Sequence, residues 1–309
     1  MPPIHPNRPD VSSAVSPDAA QAAVPPIVPR EQLDFGLDGD IPRFWLDGDA
    51  FKTRFFDAMS TLFPVGERFF ITCVRDYRDR ITDAAMLQDI KHFTRQEGQH
   101  SMLHTQFNNR LQAQGVRVDR ILAGQELRLF GIMRKYCSPE FTLGMTAAAE
   151  HITAIMAECF VERGQIFAQA DRRIRALYVW HAMEEMEHKA VAFDVMQQVA
   201  RVSYLTRIRA MLLVSIMFPY HVFRIMRHML QVDGFTRAQR LKIWARGLWW
   251  LYKPGGLLAP VLGSFLAYAR PGFHPWQQPV VPSYQRWLDA LAQTGDPVRA
   301  GDVLQASGG

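Results

Sequence analysis

The chain has 309 residues, 48% of them hydrophobic, enough for one large core or a core with an appendage. Its formal charge of +5 is modest and its basic residues are spread out. With no glycine-rich phosphate loop and no nucleic-acid motif, no nucleic-acid partner is expected. Three isolated cysteines, Cys73, Cys137 and Cys159, fit reduced thiols in a cytoplasmic protein better than a disulfide framework, and the N-terminus lacks the basic-then-apolar pattern of a secretory signal.

Residues 1 to 35, rich in Pro, Ala, Ser and Val, predict a disordered or loosely docked tail. After an irregular entry segment, a first helix is predicted from about Asp47 to Arg80. Phe51, Phe55, Met59, Leu62 and Phe63 give its apolar stripe, and Pro64 should kink or break it. Beyond the proline, Glu67 falls on the stripe with Phe70, Ile71 and Val74. A second helix, capped by Thr82 or Asp83, should run to about Gln114 and end at Gly115, with Phe93, Glu97, His100, His104 and Phe107 on its inner face. A connector is expected from Gly115 to Gly124, then a short helix from Glu126 to Tyr136.

Ser138-Pro139-Glu140 is a strong helix start, and that helix should reach about Arg163, with Glu150 on the side of Ala147, Ala154 and Ala157. After a turn near Asp171 the next helix is predicted to run to about Val199. These four long helices make residues 36 to 200 a bundle in prospect, with no strand pattern and no repeat. Residues 201 to 309 form an apolar, basic helical region. The stretch from Tyr204 to Leu230 is interrupted by Pro219, leaving an apolar run shorter than the ~20 residues that span a bilayer. The stretch from Leu241 to Tyr252 mixes Trp244, Trp249 and Trp250 with Arg and Lys, as interfacial helices do. A helical hairpin packed on the bundle, or a homodimer contact, is the preferred reading. Peripheral membrane contact is the rival.

The chemistry gathers on four helices. His181, Glu185 and His188, at i, i+4 and i+7, fall on one stripe because a helix turns about 100° per residue. In chain order the inward polar residues are Glu67; Glu97 and His100; Glu150; and His181, Glu185 and His188. That is one Glu on each of two helices and Glu-x-x-His on each of the other two, the ligand scheme of dinuclear carboxylate bundles. Two cations close together need several anionic oxygens, and imidazole adds a neutral donor that fixes geometry. The i, i+3 spacing is expected to let each helix deliver its pair to one metal. His104, on the same face, is expected to be an eighth ligand, to support a ligand or to fill the core, with support and core preferred. Glu184, about 100° from Glu185, should be a surface group or lie behind the ligands. His151 should point elsewhere, and Glu158 either extends the polar lining or is structural.

On these residues the chain resembles the ferritin-like di-iron oxygenases, and among them the p-aminobenzoate N-oxygenases, whose extra histidine gives the pattern His181-x-x-x-Glu185-x-x-His188. It also resembles a bacterial family known as predicted metal-dependent hydrolases, through Gly66-Glu67-Arg68-Phe69-Phe70 and Glu97-Gly98-Gln99-His100. The resemblance covers about residues 50 to 200. It implies an all-α, ferritin-like four-helix bundle with additional C-terminal helices, holding two iron ions (manganese as the other option). The implied activity is O2-dependent oxidation of a small apolar, aromatic or lipid-like substrate, with an external electron donor. Metal-dependent hydrolysis at the same site is the alternative, and a non-enzymatic metal-binding protein is the third reading.

Overall fold

The computed structural model describes residues 24–162, 166–259 and 261–306, so the predicted tail falls outside the described residues as far as residue 23. The protein is all-α, 73% helical, and among the described residues its only β feature is an isolated bridge between Leu46 and Ala170. The predicted first helix is two: α1 (Ala50–Ser60), capped by Asp49, whose side chain accepts from the Lys52 amide, and α2 (Phe63–Arg75). Pro64 sits in the first turn of α2, where its missing N–H costs nothing. The second predicted helix is α3 (Ala84–Ala113), capped by Asp83. It stops where Gly115 adopts φ +92°, a conformation that favours glycine.

The expected connector is shorter than predicted. Helix α4 (Val118–Glu126) runs without a break into a π-helical segment, Leu127–Met133, and then α5 (Arg134–Tyr136). Helix α6 (Pro139–Glu162) begins at Ser138, whose hydroxyl accepts from the Phe141 amide. Helix α7 (Arg172–His188) carries the His-x-x-x-Glu-x-x-His stretch but ends at His188 rather than near Val199; α8 (Val191–Asp194) and a π-helical segment, Val195–Val199, follow the break. Helix α9 (Tyr204–Val232) continues through Pro219, so the expected interruption is absent. Helices α10 (Arg237–Tyr252), α11 (Leu262–Ala267), α12 (Ser283–Thr294) and α13 (Pro297–Ala306) complete the chain.

Helix α2 packs along α3, α6 packs along α7, and α2 meets α6, which closes a four-helix core. The C-terminal helices enlarge it: α9 covers α1 and α6, and α13 covers α7. Two apolar clusters fill the interior. One includes Leu62, Leu103, Met156, Trp180 and Met186; the other includes Phe69, Phe93, Ala148 and Val191. Glu67, Glu97, His100, Glu150 and His188 occupy the level between the two clusters, while His181 and Glu185 lie within the span of the first. Glu67 lies between Leu62 and Phe69, Glu97 and His100 between Phe93 and Leu103, Glu150 between Ala148 and Met156, and His188 between Met186 and Val191.

Candidate metal centre

The four core helices bring all seven sequence-predicted residues together, each at most 5% exposed. Glu67, His100 and His181 converge at one end; Glu97, Glu150 and His188 converge at the other; and Glu97, His100 and Glu185 form a third group between them. At the first end, His181 Nε2 lies 3.7 Å from Glu67 Oε1 and 3.0 Å from Glu185 Oε1. At the second, His188 Nε2 lies 3.0 Å from Glu97 Oε1, 3.4 Å from Glu150 Oε2 and 3.6 Å from Glu185 Oε2. Glu185 thus turns one oxygen to each end. Helix α7 keeps its Glu-x-x-His pair together, with Glu185 Oε2 3.6 Å from His188 Nε2, and sends His181 to the other end, whereas on α3 His100 groups with one end and Glu97 with the other. Seven residues rise roughly 10 Å along a helix, which sets the two imidazoles at opposite ends of the cluster.

The electrostatics describe a site built for cations. Burial, reinforced by the neighbouring carboxylates, holds Glu67 and Glu150 well above the ordinary carboxylate range, and burial raises Glu97 despite His188 beside it. Glu185 goes the other way: burial opposes its charge, but His188 and His181 together hold it well below that range. Against burial, Glu185, Glu150 and Glu97 raise His188 well above the usual imidazole value. Burial and the charge of His181 push His100 and His104 well below the usual imidazole value. Among the described residues, Glu67 Oε1, both oxygens of Glu97 and of Glu150, and His188 Nε2 are buried without a hydrogen-bond partner. Orphaned buried oxygens at this density are costly unless a cation takes them up.

Hydrogen bonds behind the cluster fix which nitrogen of each histidine faces it. The Asn108 amide donates to the Ser60 carbonyl, so Asn108 Oδ1 accepts the Ser60 hydroxyl proton. Ser60 Oγ can then only accept from His104 Nδ1, 2.8 Å away. Neutral His104 therefore offers a bare Nε2 to His181 Nδ1 at 2.8 Å, and His181 Nε2 is turned inward, where it is hydrogen-bonded to Glu185 Oε1 at 3.0 Å. At the other end, Gln96 Nε2 donates to Glu187 and to the Val28 carbonyl, so Gln96 Oε1 accepts from His188 Nδ1 at 2.8 Å. His100 places Nε2 3.2 Å from Glu184 and turns Nδ1 toward Glu97 and Glu185. His181 and His188 are thus each held by protein at Nδ1 and turn Nε2 inward, the orientation that metal-ligating histidines adopt, while both nitrogens of His100 lack a hydrogen-bond partner. The donor set and its orphaned atoms fit a metal.

His104 is a support for His181, not a further inward donor. Glu184 is fully buried, which removes its surface reading: Trp180 and Arg30 hold it, and burial raises it to about 8. His151 does point away, bonding the Ser264 carbonyl against Tyr268 and Phe273. Glu158 is exposed and lines nothing polar inside. Tyr178 meets the His104 ring edge-on and donates to the Phe56 carbonyl, Tyr77 is buried in the second apolar cluster, and Asp194 pairs with His274.

Sequence reasoning missed the supporting residues. Thr153 donates to Glu185 Oε2 at 2.6 Å and Ser101 to Glu67 Oε2 at 2.9 Å. Thr153, at i+3 from Glu150, was readable from the wheel; Gln96, Ser60 and Asn108 carry no spacing signal. Nor was the approach of the N-terminal segment readable: Val28 donates to Glu187, and Arg30 pairs with Glu184 and Glu187, so residues 28 to 30 lie directly behind α7.

A family model described as "Predicted metal-dependent hydrolase" matches residues 29–279, about four fifths of the chain. The chain belongs to this family. The match reaches well beyond residues 50 to 200, taking in Arg30 and helices α1 to α11. The family thus comprises a metal-dependent core together with its C-terminal cover. No curated protein matches the chain, and no solved structure does.

Proposed function

We propose that this chain is a dinuclear metal enzyme of ferritin-like kind, holding two iron ions among Glu67, Glu97, His100, Glu150, His181, Glu185 and His188, and using O2 to oxidise an apolar substrate. The observation that carries this reading is Glu185, whose two oxygens face two separate ends of one buried cluster. Carboxylate and imidazole donors suit iron, with manganese the other ion such a set takes. Bound there, iron supplies the electron-transfer chemistry with O2 that amino-acid side chains lack.

The chain's own residues do the rest. Thr153 and Ser101 hold the carboxylates, and His104 and Gln96 hold the histidines. Phe63 packs against the rings of His104 and His181 and keeps bulk water from that end. A cavity of about 20 Å³ beside His181, Glu185 and Thr153 has room for one water or one diatomic molecule. A larger apolar cavity reaches Glu67 and Thr153 from the other side. An external electron donor completes the proposed cycle.

The family's description favours a second reading, hydrolysis of an ester by two metals and an activated water. One experiment separates the two. Iron-loaded protein is reduced without air and then given O2, while a parallel sample is offered an aryl ester under argon. Oxidation predicts O2 uptake that Glu185→Ala abolishes, with no ester cleavage under argon. Metal-dependent cleavage that persists without O2 establishes the hydrolase and overturns the oxidation reading.

A further inference from the structure

A cavity of about 190 Å³ runs from the centre toward the surface between α2, α6, α9 and the π-helical segment Leu127–Met133. Its inner wall includes Glu67 and Thr153, and its length is walled by Phe69, Phe70, Ile152, Leu213 and Val214. Ile132 and Met217, 41% and 39% exposed, mark its open side. Against this apolar surface two side chains stand out, Arg128 and His221. Arg128 makes no ion pair among the described residues; the charged group nearest it in effect is Arg224, a second cation. His221 Nδ1 is buried without a hydrogen-bond partner and feels both arginines. A partly buried guanidinium on an apolar wall, with only a second cation, the exposed Arg224, acting on it, is unfavourable unless an anion joins it. The π-helical segment is a second, independent sign. Such segments are rare and concentrate at functional sites, and this one supplies Arg128, Leu129, Ile132 and Met133 to the cavity wall.

We infer that this cavity binds a single-chain carboxylate amphiphile, a fatty acid by chemical class, with its carboxylate on Arg128 and its chain directed toward Glu67. That the ligand is also the substrate rests on the reading of the centre as an active site; the binding itself does not. The chain fills the apolar wall, and the carboxylate supplies the negative charge that Arg128 lacks. An alcohol of equal length would fill the same wall and leave Arg128 unpaired.

The test is equilibrium binding to full-length protein, without turnover, using monomeric decanoate and decan-1-ol. Decanoate is expected to bind saturably, one per chain, about tenfold more tightly than decan-1-ol, equivalent to about 1.4 kcal/mol. Arg128→Gln should erase that difference and leave decan-1-ol unchanged, whereas Ile152→Phe should weaken both ligands. Equal binding of the two ligands by the unaltered protein, or an Arg128→Gln variant that still prefers decanoate, overturns the inference. So does association with anionic vesicles alone, with no saturable binding of monomeric decanoate. Because no chemistry is measured, a failed O2 or ester assay leaves this result standing, and failed binding leaves the metal centre untouched.

Discussion

Ser60 has one proton to give, and it gives it to Asn108, which orders everything from there to the cluster. His104 must keep its proton on the Ser60 side, and His181 must keep its proton on the His104 side. On the opposite flank, Gln96 does the same for His188. These groups never reach the cluster, yet each fixes which nitrogen an imidazole turns toward it. Replacing such partners typically costs 10–100-fold in metal affinity. Ser60→Ala is therefore expected to weaken iron binding about tenfold or more at the Glu67–His100–His181 end, and Gln96→Leu to do so at the Glu97–Glu150–His188 end. Stepwise anaerobic iron titration of each variant checks this. Losses confined to one of two binding steps support the assignment; two variants that both titrate like the unaltered protein contradict it.

The elements show why part of this was legible in the sequence and part was not. Glu67, Glu97, His100, Glu150, His181, Glu185 and His188 could be picked out because helical spacing is a local property and four cost-bearing carboxylates on apolar stripes have few explanations. The placement of Pro64 and Ser138 followed from backbone chemistry alone. The break after His188 was not legible, since no Gly or Pro marks it. Lys189 is drawn instead to the Gln278 carbonyl and the ring of Trp276, nearly ninety residues away. Pro219 misled in the opposite sense, because contacts with α1 and α6 hold α9 together across the missing hydrogen bond. The π-helical segment that walls the cavity has no sequence signature comparable to a cap.

Helix α10 adds a test at this scale. A Cβ on Gly247 would lie 2.0 Å from the Phe51 ring, so α10 reaches α1 only because position 247 has no side chain. Trp244 and Trp250 pack around the same ring, while Trp249 stays exposed. Gly247→Ala is expected to destabilise the fold by about 1–3 kcal/mol in urea unfolding, despite alanine's better helix propensity. Unchanged or increased stability contradicts this packing.

For the whole molecule, stability, surface and metal content are linked. Glu67, Glu97 and Glu150 bind protons more tightly folded than unfolded, and burial holds Glu184 to about 8. Groups raised in this way stabilise the fold at low pH and lose that contribution as pH rises through their folded values. His100 and His104 act oppositely, but only up to about pH 6.5, the ordinary imidazole value. Chelator-treated protein is therefore expected to lose melting temperature between pH 7 and about 8, and metal-loaded protein to lose less, since the metal replaces the protons. A chelated melting temperature that rises over this interval contradicts the electrostatics.

The outer surface makes a separate proposal. Helix α9 is long and apolar enough to cross a membrane by length and composition, and only 28% of its most apolar window is buried. Leu212, Ile216 and Tyr220 on α9, with Leu262 and Leu266 on α11, form exposed apolar ground. We propose that this face rests on a lipid surface without spanning it. Flotation with anionic vesicles, lost on Leu212→Glu with Ile216→Glu, supports this; a soluble dimer that the same changes dissociate assigns the face to a second copy. The centre itself is tested most directly by counting iron in protein purified and loaded without air. Two ions per chain are predicted, and none firmly held in Glu185→Ala or His188→Ala. One ion per chain, or two retained in both variants, contradicts a dinuclear centre at these residues.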